Sequence, residues 1–235
     1  MNLIKAIAVQ GALAAPVTAE LLRLVMKKLH VFIFCLAASF LNVSFAGYEE
    51  GLAAYQAADF SKAFKEWLPI AKRGNAIAQR RLGMLYVLGE GVSKNEAEAV
   101  RWFTQAARGG DALAARNLGW AYEAGAGTNK DPKKAIYWYE AAAAKGNLNA
   151  HLRLALMFLE GEADERMPQE ALKWLLPAAN AGDAAAQYLL GMAYRMGKET
   201  ARDDEMALIW ISKAAKQGQP DAQKLLVEMQ GQSAK

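Results

Sequence analysis

Few side chains in this sequence could act as nucleophiles or bases. Beyond residue 46 the only histidine is His151, and the serines are Ser61, Ser93, Ser212 and Ser233. None of these serines lies in a Gly-x-Ser-x-Gly context, the motif of one large hydrolase class. We expect His151 to be a partly exposed helix residue. The sequence therefore predicts no catalytic residue.

Metal and cofactor sites also lack their usual ligands. The single cysteine, Cys35, can form neither a disulfide framework nor a Cys-rich zinc site. An acidic cluster lacks the Asp-x-Asp-x-Gly spacing of a calcium loop, so we interpret it as a solvated loop; its members are Glu160, Glu162, Asp164 and Glu165. No phosphate-binding or dinucleotide-binding glycine motif occurs. We predict no metal and no cofactor.

The charge distribution argues against a nucleic-acid partner. The 235 residues contain 28 Lys and Arg against 24 Asp and Glu, a net charge of +4. Residues 1–46 hold four of the bases and one of the acids, so the remainder has a net charge of only +1. A nearly neutral chain offers no basic surface for a phosphate backbone.

Residues 26–46 have the organisation of a secretory signal peptide. Met26 is followed by two lysines, then by a thirteen-residue apolar run, Val31 to Val43, and by small residues before Gly47. The run is shorter than the ~20 residues of a membrane-spanning helix. We predict cleavage after Ala46, export to the periplasm or the exterior, and no membrane span afterwards. An uncleaved signal anchor is the alternative.

The strongest pattern is an internal repeat of 36 residues. Glycines keep this spacing at Gly74, Gly110, Gly146, Gly182 and Gly218. Tryptophans keep it at Trp102, Trp138, Trp174 and Trp210. Because many positions stay in phase without an insertion, we predict a tandem array of like units.

Each unit predicts two helices joined by a short loop. In residues 74–109, apolar residues at i, i+4 and i+7 mark the first helix, which Gly89 ends. Asn95 can cap the second helix, and Asp131 and Asp203 occupy the same position in later units.

The chain divides into a leader, a repeat array and two deviating ends. Residues 1–25 are interpreted as an upstream extension from a misplaced start codon, and 26–46 as the signal peptide. The repeat portion comprises a divergent hairpin over 47–73, four units over 74–217 and a capping helix with a tail over 218–235. The four units are 74–109, 110–145, 146–181 and 182–217.

Small and aromatic residues at repeated positions are expected to form the core. Alanines recur where helices approach closely, and the tryptophans are expected to fill the space between successive hairpins. The expected core residues are Ala78, Leu82, Gly83, Tyr86, Ala99, Trp102, Leu118, Gly119, Tyr122, Ala135, Trp138, Leu154, Phe158, Trp174, Leu190, Gly191, Tyr194 and Trp210.

The recurring pattern Ala-x3-Leu-Gly-x2-Tyr, then Ala-x2-Trp-x3-Ala-Ala, resembles the Sel1-like repeat, which is related to the tetratricopeptide repeat. The third unit departs from it, since Ala155 replaces the glycine and Phe158 the tyrosine. The resemblance implies an all-α protein, a right-handed α-solenoid of helix-turn-helix units. It also implies an adaptor that binds other proteins. Some cysteine-rich relatives have been assigned enzymatic activity. This chain lacks their paired cysteines, so we do not expect it to have that activity.

The resemblance further implies that first helices line a concave, ligand-binding groove. Mapped onto this chain, the groove contains arginines beside an apolar strip; its residues are Arg80, Met84, Arg116, Trp120, Glu123, Leu152, Leu156, Tyr188, Met192 and Arg195. A bound peptide would use apolar anchors and an acidic group. The alternative is that these side chains pack between successive first helices. Trp120 lies outside the repeated tryptophan positions, which favours a binding role.

Three functions remain for this sequence. The first is an exported, non-catalytic scaffold with a protein or peptide partner. The second is an envelope enzyme or a binder of cell-wall fragments or small molecules. The third is a self-associating envelope component, a homo-oligomer formed through exposed apolar residues.

Overall fold

A computed structural model describes Lys27 and residues 47–159, 168–197 and 200–232. These residues form helices and loops, with no strand among them. Apart from Lys27, the predicted signal peptide lies outside the described residues, as do the residues before it, the acidic cluster and Ser233. The helices are α1 (residues 47–56), α2 (Phe60–Lys72), α3 (Ala76–Leu88), α4 (Glu96–Arg108), α5 (Ala112–Ala124), α6 (Pro132–Ala143), α7 (Leu148–Leu159), α8 (Pro168–Asn180), α9 (Ala184–Met196), α10 (Asp204–Lys216) and α11 (Pro220–Gln232).

The helices stack in the order of the sequence. Every consecutive pair from α2 to α11 is in contact. Odd-numbered helices from α3 to α9 are the first helices of successive hairpins, and the even-numbered helices that follow them are the second. The predicted all-α solenoid with a 36-residue period is confirmed. Such an array buries a continuous core only by stacking its units.

Side-chain caps begin the second helices at the predicted positions. The carboxylates of Asp59, Asp131 and Asp203, and the amide oxygen of Asn95, accept a hydrogen bond from the backbone N–H three residues later. A cap of this kind is worth about 1 kcal/mol. At the other end of the first hairpin helices, Gly89 and its counterparts adopt the left-handed conformation. The predicted helix signals are therefore confirmed at these positions.

The repeated small and aliphatic positions are buried. Seven of the expected core residues are at most 1% exposed: Ala78, Leu82, Ala99, Leu118, Ala135, Leu154 and Leu190. Buried as well are Gly83, Gly119, Phe158, Gly191 and Trp210. The remaining expected core residues are partly buried, namely Tyr86, Trp102, Tyr122, Trp138, Trp174 and Tyr194.

Trp138 shows how one hairpin is joined to the next. Its ring packs against a cluster formed around Phe103 and Leu118, and also against a cluster that contains Tyr139 and Leu154. Because the first cluster belongs to α4 and α5 and the second extends to α7, Trp138 connects three successive hairpins.

A second column of large side chains, not recognised in the sequence, fills each hairpin from within. It follows directly after the tryptophan column and comprises Trp67, Phe103, Tyr139, Leu175 and Ile211, each at most 4% exposed. These residues pack where the first helix has a glycine. A methyl group on Gly119 would lie 2.7 Å from Cδ1 of Tyr139, and one on Gly83 would lie 2.5 Å from Cε1 of Phe103. Where Ala155 replaces the glycine, the non-aromatic Leu175 lies in the same cluster.

Candidate functional site

A pocket of about 230 Å³ lies where α3, α4 and α5 meet. We call it the open junction; its lining residues are Met84, Val87, Phe103, Arg116, Asn117 and Trp120. Asn117 Nδ2 lies 3.5 Å from Sδ of Met84, which connects the two first helices across the pocket. The structure thus brings together three residues predicted for the groove: Met84, Arg116 and Trp120.

Trp120 and Arg116 give the open junction its binding chemistry. Trp120 is 47% exposed, although tryptophan is the largest apolar side chain. Arg116 has a buried Nε with no hydrogen-bond partner among the described residues. A buried donor without an acceptor is unfavourable by about 1–3 kcal/mol. The pocket therefore offers an apolar surface beside the guanidinium of Arg116, which can bind an anion.

One repeat later, the equivalent positions are occupied by an internal polar network. We call this the closed junction; it consists of Glu123, Tyr139 and Arg153. The Tyr139 hydroxyl donates a hydrogen bond to Oε2 of Glu123 at 2.5 Å, and Arg153 forms an ion pair with Oε1 of the same carboxylate. Glu123, Tyr139 and Arg153 correspond by the 36-residue repeat to Val87, Phe103 and Asn117 of the open junction.

The closed junction changes the acidity of its tyrosine. Burial raises the pKa of Tyr139 well above its ordinary value, and the neighbouring Glu123 carboxylate raises the pKa further. Both causes disfavour a second negative charge at this position. Tyr139 therefore remains a neutral hydrogen-bond donor, and Glu123 is bound within the protein.

The predicted groove residue Arg80 is also bound within the protein. Its Nε lies 2.9 Å from Oδ2 of Asp111, and both side chains are largely buried. The other carboxylate oxygen of Asp111 accepts a hydrogen bond from the backbone N–H of Ala114 at the start of α5. Arg80 thus holds α3 to the N-terminal cap of α5.

The other predicted groove residues are partly buried in contacts between repeats. Leu152 packs against the cluster that contains Ala155 and Leu175, and Leu156 is likewise partly buried. Tyr188 and Met192 pack against the cluster around Ile211. Arg195 pairs with Glu228 at 3.9 Å.

The family of the chain follows from its repeats. The family model of the Sel1 repeat matches four consecutive segments, residues 76–111, 112–147, 148–183 and 184–219. Together they cover more than half of the chain. The chain belongs to the Sel1 repeat family. Sel1 repeats generally mediate protein–protein interactions, and proteins built from them are generally non-catalytic scaffolds.

Two solved structures of Sel1 repeat proteins are similar to this chain. The Sel1 repeat protein from Oxalobacter formigenes is 31% identical, with a TM-score of 0.71, over 77% of this chain and 74% of that one. A protective antigen of uropathogenic Escherichia coli strains is 30% identical, with a TM-score of 0.73, over 78% of this chain. The match spans only 40% of that antigen's length. A comparison with curated proteins gave no significant match.

His151 is more buried than expected, so that prediction was wrong. It is 9% exposed, its Nδ1 lies 3.0 Å from the backbone oxygen of Asn147, and its ring contacts that of Trp174. In the first and fourth Sel1 repeats, the same position holds a buried glutamine, Gln79 or Gln187, that binds the preceding helix. Nε2 of Gln79 donates to the backbone oxygen of Ala71 at 2.9 Å. The ring of Trp174, on the helix that follows, covers His151 and explains its burial.

The described part of the Sel1 repeats contains neither a metal-binding cluster nor a membrane-spanning helix. Within it, no group of three or more His, Cys, Asp or Glu side chains is placed to hold a metal ion. None of its helices is long and apolar enough to cross a bilayer. The open junction is our candidate for a functional site because it combines an exposed tryptophan, an unpartnered arginine Nε and a pocket.

Proposed function

We propose that this chain is an exported, non-catalytic scaffold that binds a peptide or protein segment at the open junction. The single observation that carries the proposal is the half-exposed ring of Trp120 beside the unpartnered Nε of Arg116, above an apolar pocket. An aromatic residue and an arginine at one recess are the residue types that dominate binding energy at protein interfaces.

Repeat packing alone does not require a tryptophan at this position. The equivalent residues in the other repeats are Met84, Leu156 and Met192, and all three are partly buried. Trp120 is larger than any of them and more exposed. Its ring therefore contributes less to the core than its size would permit, and it remains available to a partner.

Export is the second part of the proposal, and it rests on the sequence. The lysines after Met26, the apolar run and the small residues before Gly47 support a cleaved signal peptide. Intact-mass measurement of the protein from the cell envelope should give a chain that begins at Gly47. A chain that retains residues 26–46 would instead favour an anchor.

Site-specific crosslinking in the native envelope tests the binding site. A photoreactive phenylalanine analogue at position 120 should form an adduct with a second protein. Arg116→Glu should abolish this adduct while leaving the thermal midpoint within a few degrees. A matched control places the same analogue at Tyr137, which is 61% exposed on α6 and does not line the pocket.

The adduct pattern decides between the functions. An adduct from position 120 only, and one sensitive to Arg116→Glu, supports a partner at the open junction. Equal adducts from positions 120 and 137 would contradict a specific site. An adduct that contains only further copies of this chain would replace the adaptor with a self-associating component.

A further inference from the structure

Four arginines on the first helices occupy two adjacent repeat positions, and only two of them have acidic partners. Arg80 pairs with Asp111, and Arg153 pairs with Glu123. Arg81 and Arg116, by contrast, each have a buried Nε without a hydrogen-bond partner, and neither forms an ion pair in the described part of the chain. The difference has a specific cause at each position.

Arg116 lacks a partner because the acid that holds its counterpart is replaced by an amide. Arg116 corresponds to Arg80 one repeat earlier, and Asp111 corresponds to Asn147 one repeat later. Asn147 keeps the capping role, since its Oδ1 accepts a hydrogen bond from the N–H of Ala150 at 3.0 Å. A neutral amide in place of the carboxylate leaves the guanidinium of Arg116 without a counter-charge.

Arg81 lacks a partner because an aromatic residue takes the place of the acid. Arg81 corresponds to Arg153, whose partner Glu123 lies four residues after Gly119. In the shortened first hairpin, Gly51 packs against Trp67 in the same way that Gly119 packs against Tyr139. The residue four positions after Gly51 is Tyr55, which is therefore the counterpart of Glu123. The guanidinium carbon of Arg81 lies 5.9 Å from the ring centres of both Tyr55 and Trp67.

From this pattern we propose that Arg81 and Arg116 bind two carboxylates of one acidic peptide that lies along α3 and α5. The inference rests on the proposed function and names the chemistry of the partner. A ligand carboxylate at each arginine would supply the counter-charge that Asp111 and Glu123 provide elsewhere. A guanidinium group can bind a carboxylate through two parallel hydrogen bonds, which favours a carboxylate over an uncharged polar group as the ligand.

The apolar pocket between α3 and α5, the helices that carry the two arginines, defines the rest of the ligand. Met84 and Trp120 line the open junction, which Arg116 borders. A peptide with an apolar residue between two acidic residues would therefore match the order of the surface. The rings of Tyr55 and Trp67 beside Arg81 attract its positive charge and hold the guanidinium in position.

Selection of random dodecapeptides, displayed on phage, against the full-length chain tests the inference. The selected peptides should be enriched in Glu or Asp at two positions, with an apolar residue between them. Replacing either acid of a selected peptide by its amide should weaken binding, measured by fluorescence anisotropy, by about tenfold. In the Arg116→Gln variant, replacing one of the two acids by its amide should no longer weaken binding. In the Arg81→Gln variant, replacing the other acid should no longer weaken binding.

Matched variants separate this inference from the proposed function. Arg153→Gln removes an arginine that already has a partner, and Arg101→Gln removes an exposed one on α4; neither should alter the preference for acids. Because Arg81 contacts two aromatic rings, Arg81→Met serves as a second variant that keeps the apolar stem. Peptides that require Trp120 but accept amides in place of acids would overturn the inference and leave the proposed function intact. If no peptide is selected, both fail.

Discussion

The open and closed junctions lie in successive repeats, and the polar network of the closed junction has no counterpart in the open one. At the open junction, Val87, Phe103 and Asn117 leave a pocket beside Trp120. At the closed junction, Glu123, Tyr139 and Arg153 satisfy one another. The two junctions occupy equivalent backbone positions. A binding site can therefore arise in a solenoid when the side chains of an internal polar network are replaced, without the insertion of a loop.

The largest expected effect concerns the tryptophan that packs against both junctions. Trp138 contacts the Phe103 cluster on one side and the Tyr139 cluster on the other. Trp138→Ala should lower the free energy of unfolding by about 3–5 kcal/mol, because it leaves a cavity between hairpins. Urea denaturation followed by circular dichroism measures the change, and helix content at low temperature should remain near that of the unmodified chain.

Trp120→Ala is the matched control for this substitution. Trp120 is half exposed at the open junction, so its loss should lower stability by less than about 1 kcal/mol. Peptide binding should nevertheless be lost. Equal destabilisation by the two substitutions would assign Trp120 to the core and remove the basis of the proposed site.

The glycines beneath the two junctions should respond differently to an added methyl group. Gly119→Ala drives a methyl group into the ring of Tyr139, which Glu123 holds in place, and should cost about 1–3 kcal/mol. Gly83→Ala meets Phe103, which borders a pocket and can move into it. We therefore expect a smaller loss of stability for Gly83→Ala, measured by thermal unfolding, together with weaker peptide binding as the ring fills the pocket.

A larger loss of stability for Gly83→Ala than for Gly119→Ala would contradict the proposed difference between the junctions. It would mean that Tyr139 can move despite its hydrogen bond, or that Phe103 cannot use the adjacent space. A crystal structure of the Gly83→Ala variant would show directly whether the ring has moved.

Introducing the three network residues into the open junction should close the pocket. The triple variant Val87→Glu, Phe103→Tyr and Asn117→Arg copies the closed junction one repeat earlier. It should weaken binding of a selected peptide at least about tenfold, while stability changes by less than about 2 kcal/mol, since a satisfied network and an apolar site are often similar in free energy. Unchanged affinity in a folded variant would place the peptide elsewhere.

The fold was predictable from the sequence because repetition makes weak signals reinforce one another. The caps at Asn95, Asp131 and Asp203 and the buried leucines each recur in phase, so no single position had to be decisive. The Phe103 and Tyr139 column also recurs, but its members differ in chemical type. It was therefore overlooked beside the uniform tryptophans.

The site was less predictable, since it depends on pairings between repeats. The sequence placed Arg80 and Arg116 at equivalent positions, but not the carboxylate of Asp111 that binds only the first. Likewise, the position of Glu123 indicated a groove residue, whereas its neighbours Tyr139 and Arg153 became visible only in three dimensions. His151 was placed wrongly for a related reason, because the ring of Trp174 that covers it belongs to another helix.

The smallest expected effect is the dependence of stability on pH at the closed junction. Burial and Glu123 raise the pKa of Tyr139 in the folded chain above the value of about 10 expected when unfolded. The unfolded chain then loses the proton first, so the stabilisation is fully present below pH 10 and decreases as the pH rises above it. Between pH 10 and pH 11 this should lower the free energy of unfolding by about 1 kcal/mol.

Tyr139→Phe isolates this contribution, because phenylalanine has no proton to lose and its counterpart Phe103 shows that the position accepts the ring. Urea denaturation at several pH values from 8 to 11 should give a flatter profile for Tyr139→Phe than for the unmodified chain. Tyr137→Phe removes an exposed tyrosine on the same helix and should leave the profile unchanged. Identical profiles for all three proteins would show that Tyr139 ionises as readily in the folded chain as in the unfolded one. The hydrogen bond to Glu123 would then contribute nothing to the difference between the two junctions.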